Sequence, residues 1–302
     1  MRIVVVIQAS DRIPFLLYHL YKIFLYFCLK RLIAVHFQNQ TSRTLLLPGS
    51  KLIDPEWWET QERGDQVDAT DETGQAGPRT SCRLAGDEII KNRVLEVLYR
   101  RILRAHSENK CFRVIIIIPL LPGFQGGLDD AGAASVRAIM HWQYRTICRG
   151  HNSILHNLYD HIGHKTHDYI SFYGLRSYGE LFDGGPVATS PIYAHNKIML
   201  IDDSAAIIGS ANINDRSLLG SRDSEIGVLI EDKELVDSRM GGKPWKAGKF
   251  VLSLRLSLWS EHLGLRKGEV NKIIDPICDS SYKDIWAATA MLNTNIYQEV
   301  FS

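Results

Sequence analysis

One stretch of this 302-residue chain combines an imidazole, an ammonium and a turn amide at spacings that suit anion chemistry. Tyr193 to Glu231 reads YAHNKIMLIDDSAAIIGSANINDRSLLGSRDSEIGVLIE. His195 and Lys197 stand two apart, so on an extended strand both side chains leave one face. The ammonium neutralises an anion at close range, and the imidazole attacks or moves a proton. Neither residue favours burial alone. Taken by themselves the two would fit the wet face of an edge strand, and only the wider pattern argues otherwise.

The surrounding elements must hold the pair in place. Ile198 to Ile201 is an apolar run that fits a buried strand, ended by Asp202 and Asp203, with Ser204 starting a turn. Ala205 to Ile208 is a second run, followed by the small, polar turn Gly209-Ser210-Ala211-Asn212. Ile226 to Ile230 is a third, with Glu225 at its mouth. The series His195-x-Lys197, four residues, Asp202, six residues, Gly209-Ser210-x-Asn212 resembles the phospholipase D superfamily signature at every defined position. The flank NDRSLLGSRDSEIGVLIED is similar to the eukaryotic enzymes. It is most similar to the carboxyl-terminal half of the plant zeta class, whose amino-terminal regions carry PX and PH modules.

That resemblance implies an α/β fold, a mixed β-sheet flanked by helices, forming one half-domain. It also implies a phosphodiesterase. Such an enzyme hydrolyses phosphatidylcholine to phosphatidic acid and choline through a phosphohistidine, with no metal and no cofactor. The catalytic set implied is His195, Lys197, Asp202 and Glu225, with Lys197, Ser210 and Asn212 holding the substrate phosphate. His195 is the nucleophile or its acid/base partner, and Glu225 orients the imidazole. Asp202 sits an odd seven residues after His195, which turns it off the His195/Lys197 face of a continuous strand and favours a structural role at the strand end. Phosphoinositide activation belongs to the PX and PH modules of full-length relatives.

Composition narrows the alternatives. Hydrophobic residues make up 45% and charged residues 23%, ordinary for a globular chain. The formal net charge of +1 supplies no global field toward nucleic acid or anionic lipid. Cys28, Cys82, Cys111, Cys148 and Cys278 are scattered and form no CxxC pair, which argues against a zinc site or a disulfide framework. A reducing, cytoplasmic setting follows, with peripheral attachment to a phospholipid membrane as the partner surface.

In order along the chain, residues 1–40 hold apolar runs at Ile3–Ile7 and Phe15–Leu29, the latter shorter than a membrane span and interrupted by His19 and Lys22. This segment is foreign to the family pattern. Residues 41–86 read as a polar, poorly ordered linker. Residues 87–302 read as the catalytic domain. An amphipathic helix begins after Asp87 as cap, a buried strand covers Phe112–Ile118, and helices are expected at Ala131–Ile147 and, with an Asn cap, Asn152–Ile162. Tyr169–Tyr173 reads as a strand, Leu181–Ser190 as a glycine-rich connection, Lys243–His262 as a helix with a core stripe of Phe250, Leu254, Leu258 and Leu263, and Tyr282–Tyr297 as a last helix. The histidines between His151 and His167 match no zinc spacing and read as surface groups.

The sequence departs from the family in one respect that matters. Enzymes of this kind build one site from two His-x-Lys motifs, and these 302 residues contain one. The aromatic-rich strand that precedes the helix at Asp87 is also missing, which predicts an open sheet edge. Catalysis therefore calls for a second motif from a homodimer mate or an amino-terminal half. The alternative is an inactive fragment that binds phosphate head groups or a partner. A single-motif nuclease is weaker, because the flanks resemble the lipid enzymes and the chain is not basic.

Overall fold

The structure, a computed structural model, describes residues 2–8, 33–34, 43–46, 90–121, 134–220 and 222–301. The Asp87 cap, the 15–29 apolar run and most of the 41–86 linker lie outside the described residues.

Three short segments come first: β1 (Arg2–Gln8), β2 (Ile33–Ala34) and β3 (Arg43–Leu46). Then follow α1 (Val94–Ser107), β4 (Val114–Ile117), α2 (Ala134–Ile147), α3 (Ile154–Ile162) and a 3-10 helix at Gly163–Asp168. β5 (Ile170–Glu180) and β6 (Val187–Ile192) form a hairpin that leads to β7 (Lys197–Ile201) and β8 (Ala205–Gly209). After the short α4 (Asp215–Leu218) come β9 (Glu225–Glu231), β10 (Leu235–Met240), β11 (Lys243–Gly248) and α5 (Lys249–Leu263). A π-helical turn at Tyr282–Ala287 runs into α6 (Ala288–Phe301).

The strand runs predicted around the motif form an antiparallel sheet in the order β1-β9-β8-β7-β2. A second sheet has the order β3-β5-β4, with β6 on β5. Its β4 and β5 are parallel, so the architecture is the mixed sheet and helices expected. β1 and β2 occupy the outer edges of the motif sheet, paired with β9 and β7.

Side-chain alternation sends each strand's residues to two buried faces. Met199, Ile201, Ala205 and Leu229 join Leu98, Ile102 and Leu158 of α1 and α3 on one side. Leu200, Ala206 and Ile230 join Val251, Leu258, Trp259 and Trp286 on the other. Both clusters also take residues from β4 and β5, so the two sheets share one sandwich of helices. A strand buried on both faces must be nearly all apolar, which is why Ile198–Ile201 lacks polar alternation.

Four local expectations are corrected. The cap of α3 is Ser153, whose hydroxyl accepts from the His156 amide at 3.4 Å, rather than Asn152. β5 extends to Glu180, because Leu175 through Glu180 pair with β6 down to Val187; the supposed connection is half strand. Lys243–Gly248 is a strand, not the start of a helix. Gly241 and Gly242 take φ of 62° and 76°, the two left-handed positions of a tight hairpin turn, and Asp275 accepts from both amides at 2.8 and 2.6 Å. The expected stripe of α5 loses one member: Leu258 and Leu263 enter the core and Leu254 packs against it while also lining a cavity, whereas Phe250 is exposed on the cavity side.

Candidate active site

β7 begins at Lys197, so His195 lies in the extended link just before the strand rather than on it. It is exposed, with its ring stacked on Tyr193 at a centroid distance of 5.6 Å. The Lys197 ammonium folds back and donates to the His195 carbonyl oxygen. One cavity of about 560 Å³ gathers His195, Asn196, Lys197 and Ser210 on its polar side. Ile198, Ile208, Phe250 and Leu254 form its apolar side, with Gly209 between. Asn196 lines the cavity beside both neighbours, because strict strand alternation does not extend to a residue ahead of the strand.

Ser210 ties the turn to the next strand. Its amide donates to the Ile226 carbonyl at 2.9 Å, and its hydroxyl accepts from the Ile226 amide at 3.0 Å. The same hydroxyl donates to the Glu225 carboxylate. Glu225 thus reaches the cavity through Ser210. This close seam requires glycine at 209: a Cβ there would meet the Ile226 carbonyl oxygen at 2.6 Å.

Asn212 lies two residues past Ser210 and outside that cavity lining. Its amide donates to the Ser217 hydroxyl at 3.1 Å. Asp202 stands at the other end of β7, roughly 17 Å along the strand from Lys197 at 3.4 Å per residue. It is buried, and its carbonyl accepts from the Trp245 indole at 2.8 Å. Asp202 and Asp203 take φ of 52° and 53° in the β7–β8 turn, where Ser204 N–H donates to Ile201 at 2.9 Å.

Sequence reasoning missed the frame around Asn212. Asp215 accepts from the Lys91 and Asn92 amides at 2.7 and 2.8 Å and from the Asn92 side chain at 2.6 Å, which pins the loop to the entrance of α1. Asn214 caps α4 through the Ser217 amide at 2.9 Å. Arg216 grips Asp223 with two nitrogens at 3.0 to 3.2 Å, closing the loop that leads to Glu225. The signal was present in NDRSLLGSRDSE, whose polar residues serve this scaffold.

The helix behind the cavity is equally well held. Asp232 accepts from the Phe250 and Val251 amides at 2.9 and 3.1 Å, capping the start of α5 and fixing Phe250 at the cavity wall. The histidines of α3 and the following turn make aromatic and hydrogen-bond contacts instead of gathering: His151 packs edge-on against His156, and Tyr99 pairs with His161 at 3.1 Å. No three His, Cys, Asp or Glu side chains are grouped as metal ligands among the described residues.

Residues 82–297 match the family model described as phospholipase D. This chain belongs to the phospholipase D family. Phospholipase D zeta 1 of Arabidopsis thaliana is 64% identical over an alignment 300 positions long, which takes in 84% of this chain and 27% of that protein. Phospholipase D zeta 2 of the same plant is 70% identical over 219 residues, 72% of this chain and 21% of the relative. Human phospholipase D1 is 46% identical over 221 residues, 73% of this chain and 20% of the relative. The chain therefore spans about a quarter or less of the length of these family members, and the likeness to the plant zeta class read from the motif flanks holds across most of it.

Proposed function

We propose that this chain carries the carboxyl-terminal half-site of a phospholipase D that hydrolyses phosphatidylcholine to phosphatidic acid and choline. The observation that carries the reading is the cavity joining His195, Lys197 and Ser210 beside an apolar wall. The imidazole of His195 either attacks phosphorus or protonates the departing choline oxygen. In the first step a nitrogen–phosphorus bond forms, the phosphorus–choline oxygen bond breaks, and the opposing histidine supplies the proton. Water then cleaves the phosphohistidine and returns the proton. Lys197 neutralises the equatorial oxygens from the cavity wall, and Asn212, just outside that wall at the end of the turn Ser210 supports, serves as a further hydrogen-bond donor once substrate is bound. Glu225 acts from behind Ser210.

The opposing histidine comes from a homodimer mate or from an amino-terminal half. The exposure of His195 supports this, since a finished site would cover it. The enzyme works in the cytoplasm as a peripheral protein at a phospholipid surface. No helix among the described residues is long and apolar enough to cross a membrane.

Size-exclusion mass together with choline release from phosphatidylcholine vesicles tests the assembly. A monomer releasing little choline fits a half-site awaiting its partner motif. A dimer with choline release abolished by His195→Ala places the second histidine in the mate. Robust release by a monomer would refute the half-site reading.

A further inference from the structure

The β5–β6 hairpin lies three residues ahead of His195 and ends in a strongly apolar tip. Its ladder runs from the Leu175–Ile192 pair to the Glu180–Val187 pair. At about 3.4 Å per residue, the tip stands some 17 Å from the base that feeds the site. The turn is well built: Leu181 N–H donates to Pro186 at 3.2 Å, Gly185 N–H to Phe182 at 2.7 Å, and Gly184 N–H to the Glu180 carboxylate at 3.0 Å. Gly184, at φ 69°, lets the chain reverse there.

This ordered turn nevertheless holds Leu181 and Phe182 out in solvent. They are 68% and 67% exposed, the largest values for large apolar side chains among the described residues. Tyr178 and Val187, at 52% and 51%, continue the patch down both strands. An ordered, protruding apolar tip without core contacts marks a surface that is covered in use.

Charge selects the cover. Between Arg176 and His195 the hairpin carries Glu180 and Asp183 and no Lys or Arg. Two carboxylates flanking an exposed leucine and phenylalanine disfavour an anionic bilayer. They complement a zwitterionic one, whose outermost groups are trimethylammonium cations that carboxylates and aromatic faces both attract. A leucine–phenylalanine pair can enter the boundary below those cations while Tyr178 stays at head-group level.

We infer that the β5–β6 hairpin is a docking element for choline-bearing, zwitterionic lipid surfaces, inserting Leu181 and Phe182 and setting His195 at a fixed distance from the interface. The inference rests on the phospholipid reading of the site, and it adds the element that meets the membrane and its preferred surface charge.

Co-sedimentation with sucrose-loaded vesicles tests it without requiring turnover. The wild-type chain should sediment with pure phosphatidylcholine vesicles and several-fold less with vesicles rich in phosphatidylserine. Leu181→Ser/Phe182→Ser should reduce sedimentation with phosphatidylcholine about tenfold while its far-ultraviolet circular dichroism and melting temperature stay those of wild type. Phe182→Trp should sediment as well as wild type, and Asp183→Asn should narrow the difference between the two vesicle types. His195→Ala should sediment normally, so a failure of catalysis is distinguishable from a failure of docking. Equal sedimentation of the double-serine variant and wild type would overturn the inference. So would a double variant whose only change is a smaller oligomeric mass, which would assign the tip to a protein contact.

Discussion

Arg255 and Asp203 form a fully buried, two-pronged ion pair between the helix that walls the cavity and the turn at the far end of β7. The two bonds measure 2.6 and 2.9 Å, and both side chains have no solvent exposure. Arg255 spends two further donors on the Ile273 and Ile274 carbonyls at 2.7 and 2.9 Å, so four of its five N–H groups are engaged. Burial of two charges is tolerated only with such extensive hydrogen bonding, and removing one partner leaves the other stranded. Asp203→Ala should therefore cost about 3–5 kcal/mol in urea unfolding. The Asp203→Leu/Arg255→Met pair should cost clearly less than the sum of its single changes.

The seam between β8 and β9 gives a second test. The Cβ of Gly209→Ala would lie 2.6 Å from the Ile226 carbonyl oxygen and 2.9 Å from the Gly227 Cα, both backbone atoms with little room to move. The strands must separate, so we expect a loss of about 1–3 kcal/mol, measured by thermal or urea unfolding. Gly227→Ala is the control, since its nearest neighbour, the Ile208 carbonyl oxygen, is 3.9 Å away.

Ser210→Ala should separate positioning from mere folding. It removes the acceptor for the Ile226 amide and the donor to Glu225, which should cost about 1–2 kcal/mol of stability. In an assembled enzyme it should also lower choline release by roughly 10²-fold, because the phosphate turn loses its tie. Thr at 210 should recover most of the activity, an outcome that a purely steric role would not give.

Alkaline stability follows from buried phenols. Burial pushes the Tyr173 hydroxyl up to about 12, and burial also raises that of Tyr282, which donates to the His167 carbonyl at 2.9 Å. Below the unfolded value of about 10 both states keep the proton and the stabilisation is complete. Above it the unfolded chain ionises first, so stability falls as the pH rises from about 10 toward 12. Circular dichroism should show base unfolding in that window, with a higher midpoint for Tyr173→Phe.

The motif strands were readable because β7, β8 and the middle of β9 are buried on both faces and so appear as unbroken apolar runs. The helices α1 and α2 announced themselves by spacing, and the family by residues that must sit in one order around a phosphate. Three features were hidden for physical reasons. The β10–β11 ribbon is short and mostly exposed, so Leu235 to Met240 carries little hydrophobic signal, and its Gly241-Gly242 turn was the only strong cue. The β5–β6 hairpin is largely exposed beyond Gly174 and carries Gly179, Gly184, Gly185 and Pro186, so its turn residues mask the strands and it reads as loop. The roles of Asp203, Asp215 and Asp232 depend on partners 52, 123 and 18 residues away, and no local pattern reveals such pairings.

The central claim is that His195 is one of two histidines acting on a single phosphodiester. Its most direct test is choline release from phosphatidylcholine vesicles by this chain mixed with the remaining amino-terminal part of Arabidopsis phospholipase D zeta 1. The amino-terminal piece alone, and this chain as a monomer, should each release little. The mixture should release choline rapidly, and His195→Ala should abolish that release while leaving the pieces associated. Undiminished release by the His195→Ala mixture would contradict the account.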